Sequence, residues 1–249
     1  MTETLSILVH GGPGAGKSWL GQSTPAPRLV LDAEGGSRNP KRMRDGVVER
    51  QRKIVWDPLR DAPPVDDGTW DTCIVFCRDF IVVQRTYDWL NHGEHPFKSV
   101  VVDSLTEIQK RCKDSISGVE APDQQAWGLL LIRMERLIRD LRDLTFHQTT
   151  PLDAVVIIAL TRLNDYGKYV PAIQGALGVS LPGFVDVEGF LRVDVNDAGE
   201  EERRMLISPR DGFEAKDRTH DLSAHYGPVV TNPDVEHMLF VYNDTEAHA

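Results

Sequence analysis

The run His10-Gly11-Gly12-Pro13-Gly14-Ala15-Gly16-Lys17-Ser18 carries the most specific chemistry in the chain. It fits G-x-x-x-x-G-K-[ST] and follows an apolar stretch, Leu5 to Val9. The glycines let the backbone wrap so that successive N–H groups of Gly11, Gly12, Gly14, Ala15 and Gly16 face a phosphate, with Pro13 at the bend. Lys17 reaches the β- and γ-oxygens of a nucleotide, and the Ser18 hydroxyl suits Mg²⁺. A helix starting at Lys17 aims its positive dipole end at the same phosphates. Average residue usage puts a chance match in about 1% of chains this long. The alternative is a Gly-rich turn between a strand and a helix, but the flanking patterns also suit a phosphate loop.

A Mg-nucleotide site needs more oxygen ligands. Asp103 closes the apolar run Ser99-Val100-Val101-Val102, which places a carboxylate at a strand end, where it holds the Mg²⁺ shell. Hydrolysis also requires a group that orients or deprotonates water. Glu34, just past the strand Arg28–Asp32, is the candidate base; it is expected beside the phosphate-loop strand. Asp32, shorter and inside the strand end, is expected to support the turn by hydrogen bonding.

Strand-like runs ending in such residues alternate with helical patterns, which predicts an α/β fold with a mostly parallel sheet. Strands are expected at 6–10, 28–32, 54–56, 99–102 and 154–160, and a hairpin is expected from 189–195 and 203–208 around Asn196-Asp197-Ala198-Gly199. Helical spacing of apolar residues predicts helices over 72–91, 105–115, 126–146 and 234–241. On the first of these, Cys73 and Cys77 would share one apolar face. Residues 162–183, rich in Gly, Pro and polar groups, read as a long functional loop, and the last 25 residues as a mobile tail.

The composition is that of a globular protein, with 41% hydrophobic and 27% charged residues. No stretch approaches the roughly 18 apolar residues of a membrane span. Met1-Thr2-Glu3-Thr4 lacks a basic leader, and three cysteines make no paired framework, so a cytoplasmic location is expected. A net charge of −10 disfavours general nucleic-acid binding, which depends on neutralising phosphates. A DNA role would need a local basic patch, such as Arg38 to Lys53. Arg133, Arg136, Arg139 and Arg142, interleaved with Glu135, Asp140 and Asp143, read instead as a solvated helix face laced with ion pairs.

Taken in order, Asp32-Ala33-Glu34-Gly35-Gly36-Ser37-Arg38, Val100-Val101-Val102-Asp103-Ser104-Leu105-Thr106, Pro171-Ala172-Ile173-Gln174-Gly175, Phe184-Val185-Asp186 and Ala215-Lys216-Asp217-Arg218 are similar to motifs of the RecA superfamily. The chain resembles its short, single-domain phage ATPases associated with single-strand annealing and recombination. That resemblance implies a RecA-like P-loop NTPase core over about 5–220, with a C-terminal extension of about 221–249, forming one domain across 1–249. It also implies ATP and Mg²⁺ as ligands, Glu34 as catalytic base, and Thr161 as a γ-phosphate sensor. Lys216 and Arg218 would be inserted into a neighbour's site, within a ring or filament that holds the nucleotide between subunits. Two loops, about 115–125 and 163–179, would face single-stranded DNA, with Tyr166 and Tyr169 as stacking platforms beside Lys168. By the same resemblance the protein is a phage protein acting in the host cytoplasm.

Two function classes follow: a Mg-ATP-dependent ATPase acting on single-stranded DNA, or a nucleotide-dependent switch or loader that binds a partner protein with slow or no hydrolysis. A small-molecule kinase is a third reading, with Lys216-Asp217-Arg218 its one late basic element. ATP rather than GTP rests on the resemblance, because no Asn-Lys-x-Asp motif is present.

Overall fold

A computed structural model describes residues 3–38, 42–44, 47–49, 51–210 and 212–244; the side chains of 38–50 are not described. In chain order the elements are β1 (Leu5–Gly11), α1 (Lys17–Gln22), β2 (Arg28–Asp32), β3 (Arg42–Arg44), β4 (Val47–Glu49), β5 (Lys53–Val55), β6 (Thr72–Phe76) and α2 (Phe80–Leu90). Then come β7 (Ser99–Asp103), α3 (Leu105–Ser117), α4 (Gln124–Asp143), β8 (Ala154–Leu163), β9 (Tyr169–Pro171) and α5 (Leu177–Ser180). The chain continues through β10 (Val187–Val195), β11 (Glu201–Leu206), β12 (Lys216–Asp217), α6 (Asp221–Tyr226), β13 (Val229–Thr231) and α7 (Val235–Asn243).

Eleven strands form one sheet in the order β13-β11-β10-β1-β8-β7-β2-β6-β5, with β12 beside β10 and β9 beside β8. The run from β10 to β5 is parallel, while β11, β12, β13 and β9 join antiparallel. The expected α/β architecture and late hairpin are both present. Alternation explains why the central strands read as unbroken apolar runs. Val100 and Val102 pack under α2, α3 and α4, whereas Val101 faces the opposite layer with Leu20 of α1, Leu222 of α6 and Met238 of α7. Neither face of these strands meets water.

Several expectations change. Residues 72–91 are not one helix, because Thr72–Phe76 is a strand and the helix starts at Phe80. A short buried strand and a buried helical turn share the same apolar density, so periodicity alone does not separate them. Cys73 therefore lies on β6 and Cys77 just beyond it, both buried, rather than on one helix face. The 162–183 segment is not purely loop, since β8 runs on to Leu163, turns and pairs with β9. The C-terminal stretch is not a tail up to residue 244. β13 adds to the sheet edge and α7 buries Val235, Met238, Leu239, Val241 and Tyr242. The Ser23 hydroxyl accepts the Val235 N–H at 2.8 Å, fixing the start of α7 beside α1. The basic stretch from Arg38 lies largely outside the described side chains. Of the α4 arginines, Arg136 lies 3.5 Å from Asp140 and Arg142 2.5 Å from Asp143, whereas Arg133 donates to Ser115 and Arg139 to the Glu135 carbonyl, so the expected ion-pair face is only partly present.

Candidate active site

All parallel strands deliver their carboxyl ends to one edge of the sheet, where an open α/β sheet presents its ligand crevice. Register makes this concrete. Asp32 is level with Asp103, Asp103 with Ile158, and Ile158 with Val9, just before the phosphate loop. The expected adjacency of β2 and β1 is incorrect. β8 and β7 stand between them, so at about 4.8 Å per strand Glu34 starts some 14 Å from the phosphate-loop strand. Strand order depends on long-range pairing, which local sequence does not encode.

The gap is bridged from both sides. Helix α1 crosses back over β8 toward β7, and Gly21 permits the approach: a Cβ there would lie 2.7 Å from Val101 Cγ1. Ser18 is thereby brought to Asp103, its hydroxyl donating to Oδ2 at 2.7 Å. From the other side, the Ser104 hydroxyl donates to Glu34 Oε1, and Ser104 also caps α3 by accepting the Glu107 N–H. Asp32 plays the expected supporting part, accepting Gly35 N–H at 2.6 Å and Ser37 N–H at 3.0 Å. These bonds shape the turn that projects the exposed Glu34.

Within the loop, Gly16 adopts φ 94°, which strains any residue with a Cβ. The Lys17 amine is buried and donates to the carbonyls of Gly11 at 2.9 Å and Gly12 at 2.8 Å. Burial lowers its pKa, while Glu34 and Asp103 pull it back up. Asp103 is pushed up to about 6, chiefly by burial; the Ser18 hydrogen bond opposes this, and the charges of Glu34 and Asp32 add to it. Two carboxylates, Glu34 and Asp103, thus act on one buried ammonium. The Asp103 carboxylate and the Ser18 hydroxyl bonded to it supply hard oxygens that suit Mg²⁺. The donors present fit a Mg-nucleotide: Ser18 and Asp103 for the metal, Lys17 and the loop N–H groups for the phosphates.

Thr161 sits one residue past the level of Gly11 on β8. Its hydroxyl lies 3.1 Å from His10 Nδ1 and donates to the Val170 carbonyl at 3.2 Å. His10 is fully buried, with Nε2 3.3 Å from the Glu214 carbonyl, and burial lowers its pKa to about 4. Thr161 is therefore tied into the loop root within the chain. Lys216 and Arg218 are not brought to this chain's own phosphate loop. Lys216 donates to the Pro182 and Val185 carbonyls, the latter at 2.7 Å. Arg218 pairs with Asp186 at 3.1 Å and donates to the Gly183 carbonyl at 2.7 Å. Asp186 hydrogen-bonds Ser6, five residues before Gly11, so Arg218 lies roughly 15 Å down the sheet from the loop.

Two neighbours of the site were given no role by the sequence. Ser104, which holds Glu34, enters the sequence reading only as part of the run Val100 to Thr106, with no role of its own. Arg203 of β11 approaches Gly16 closely; its placement depends on the hairpin overhanging the loop.

The family description "AAA domain" matches residues 3–219. No curated protein matches the chain. With the match covering most of its length, and with the phosphate loop, Ser18–Asp103 pair and parallel sheet in place, the chain belongs to the AAA-domain family of P-loop ATPases.

Proposed function

We propose that this protein hydrolyses Mg-ATP and couples that cycle to single-stranded DNA, as in RecA-like phage annealing and recombination. The observation that carries the DNA half is an aromatic platform built on the root of the phosphate loop. Tyr169 of β9 stacks on Phe213 at 5.3 Å and on Phe190 at 5.5 Å, and Phe190 in turn packs 5.4 Å from the His10 ring. Tyr169 remains 41% exposed, the nearby Tyr166 is 89% exposed, and Lys168 and Arg210 line the adjoining groove. Exposed rings with Lys168 and Arg210 beside them suit base stacking and backbone phosphates, although Glu188 and Glu214 line the same groove. Because His10 also contacts Thr161, movement of the loop on binding nucleotide would reach the platform through directly packed groups.

In the hydrolytic step, Lys17 and the loop N–H groups hold the phosphate charge, and Glu34, steadied by Ser104, takes the proton from the attacking water. Bound Mg²⁺ supplies further charge neutralisation at the phosphates. Lys216 and Arg218 act on a neighbouring subunit in a ring or filament; Arg218, half-exposed at the far end of the sheet, is consistent with service in trans. The alternative, a switch or loader acting on a partner protein with slow or no hydrolysis, is favoured by the net charge of −10 and by exposed Trp127, Leu129 and Ile132 on α4.

Fluorescence anisotropy of an oligo-dT strand, with and without Mg-ATP, tests the DNA reading. Affinity should rise with nucleotide and fall about tenfold or more in Tyr169→Ala, on the scale of one lost stacking platform. No binding at low salt would refute it.

A further inference from the structure

The hairpin of β10 and β11 overhangs the end of the sheet. Phe190 is level with His10, so Val193 and its partner Arg203 lie about three residues further on, beyond the start of the phosphate loop. The Arg203 backbone is fixed there: its N–H donates to Asn232 Oδ1 at 3.0 Å, and its carbonyl accepts the Asn232 N–H at 2.6 Å. The side chain then lies over the loop. Its Nε sits 2.3 Å from where a Cβ on Gly16 would be, and its guanidinium stacks on the Trp19 ring at 4.5 Å.

This arginine differs from its neighbours. Arg192 pairs with Asp194 at 2.9 Å, and Arg204 pairs with Asp194 at 3.6 Å and with Glu202. Arg203 makes no ion pair among the described residues, and its Nε is buried without a hydrogen-bond partner. Strand alternation accounts for part of the difference, since it puts Arg203 on the face opposite Asp194 and Glu202, the partners of Arg192 and Arg204, while Glu201 shares its face without pairing with it. Arg203 is half-buried and its Nε is withdrawn from water without an acceptor, which is costly unless an anion arrives. The group it overlies is Gly16 of the loop whose backbone N–H groups cradle the α- and β-phosphates of a nucleotide.

We propose that Arg203 is a nucleotide-contacting residue supplied within the same chain, gripping the α- and β-phosphates while Trp19 holds its plane. This rests on the reading of the phosphate loop as a nucleotide site. It is distinct from the trans role proposed for Lys216 and Arg218.

The test is calorimetric titration of the full chain with Mg-ATP and with Mg-ADP, for the native protein, Arg203→Met and Arg203→Gln. The Met variant keeps an aliphatic stem over Gly16 and Trp19; the Gln variant gives a second, polar replacement should the first fail to fold. Both should weaken ATP and ADP by the same factor, about tenfold to a hundredfold, as expected for a lost charge-assisted hydrogen bond. The melting temperature of the nucleotide-free protein should not fall. Unchanged affinities, or a fall in melting temperature with unchanged affinities, would make Arg203 a packing residue and overturn the proposal. A loss confined to ATP would overturn its placement on the α/β side. If the native chain bound neither nucleotide, the nucleotide-site reading itself would fall, which a null effect in the variants alone would not imply.

Discussion

Glu188 offers a perturbation whose size follows from the structure. It lies on β10 between Leu8 and Lys216, is 3% exposed, and has an Oε1 without a hydrogen-bond partner. Burial, with the nearby Glu214 charge adding to it and Lys216 opposing it, raises its pKa from 4.5 to about 7. The folded chain thus holds this proton more tightly than the unfolded chain. Stability is greatest while both forms are protonated and falls as pH rises from about 4.5 to about 7. At about 1.4 kcal/mol per tenfold change in proton affinity, the full loss is roughly 3 kcal/mol. Glu188→Gln removes that titration. Urea unfolding should find the variant about 2 to 3 kcal/mol more stable than the native chain at pH 8, and within about 1 kcal/mol of it at pH 5. Other titrating groups are common to both proteins and cancel in the difference. Parallel pH–stability curves for the two chains would refute the account of Glu188 as a buried, uncompensated carboxyl.

Lys17→Ala should reduce Mg-ATP affinity by at least about a hundredfold, measured by calorimetry, since it removes the buried ammonium among the loop carbonyls. Ser104→Ala should leave ATP affinity within about twofold while lowering turnover about tenfold, because the lost hydrogen bond orients Glu34 rather than nucleotide. Phosphate release at saturating ATP checks the latter; an equal fall in affinity would show that Ser104 serves the fold alone.

What was legible in the sequence was local. The phosphate loop, the strand Arg28–Asp32 and the run ending at Asp103 are each specified by a few adjacent residues, and all three appear as expected. The hairpin was equally plain from its turn residues. Relations across the sheet were not legible. Insertion of β8 and β7 between β1 and β2 is fixed by pairing between residues about 55 to 150 apart, and it moved Glu34 two strands further from the loop than expected. β6 was hidden because its apolar run merges with that of α2. β12 is two residues long, too short to leave a pattern, yet it anchors Lys216 against the 182–185 turn. Arg203 was invisible for the same reason as the strand order, since only the overhanging hairpin carries it to Gly16.

The most direct test of the central claim is phosphate release from Mg-ATP, with and without single-stranded DNA, for the native chain and Glu34→Gln. The account predicts a basal rate that DNA increases, and a Glu34→Gln variant that still binds ATP but releases almost no phosphate. Unchanged turnover in the variant would contradict the assignment of Glu34 as base. A native rate indifferent to DNA would contradict the coupling and leave the partner-binding switch as the better reading.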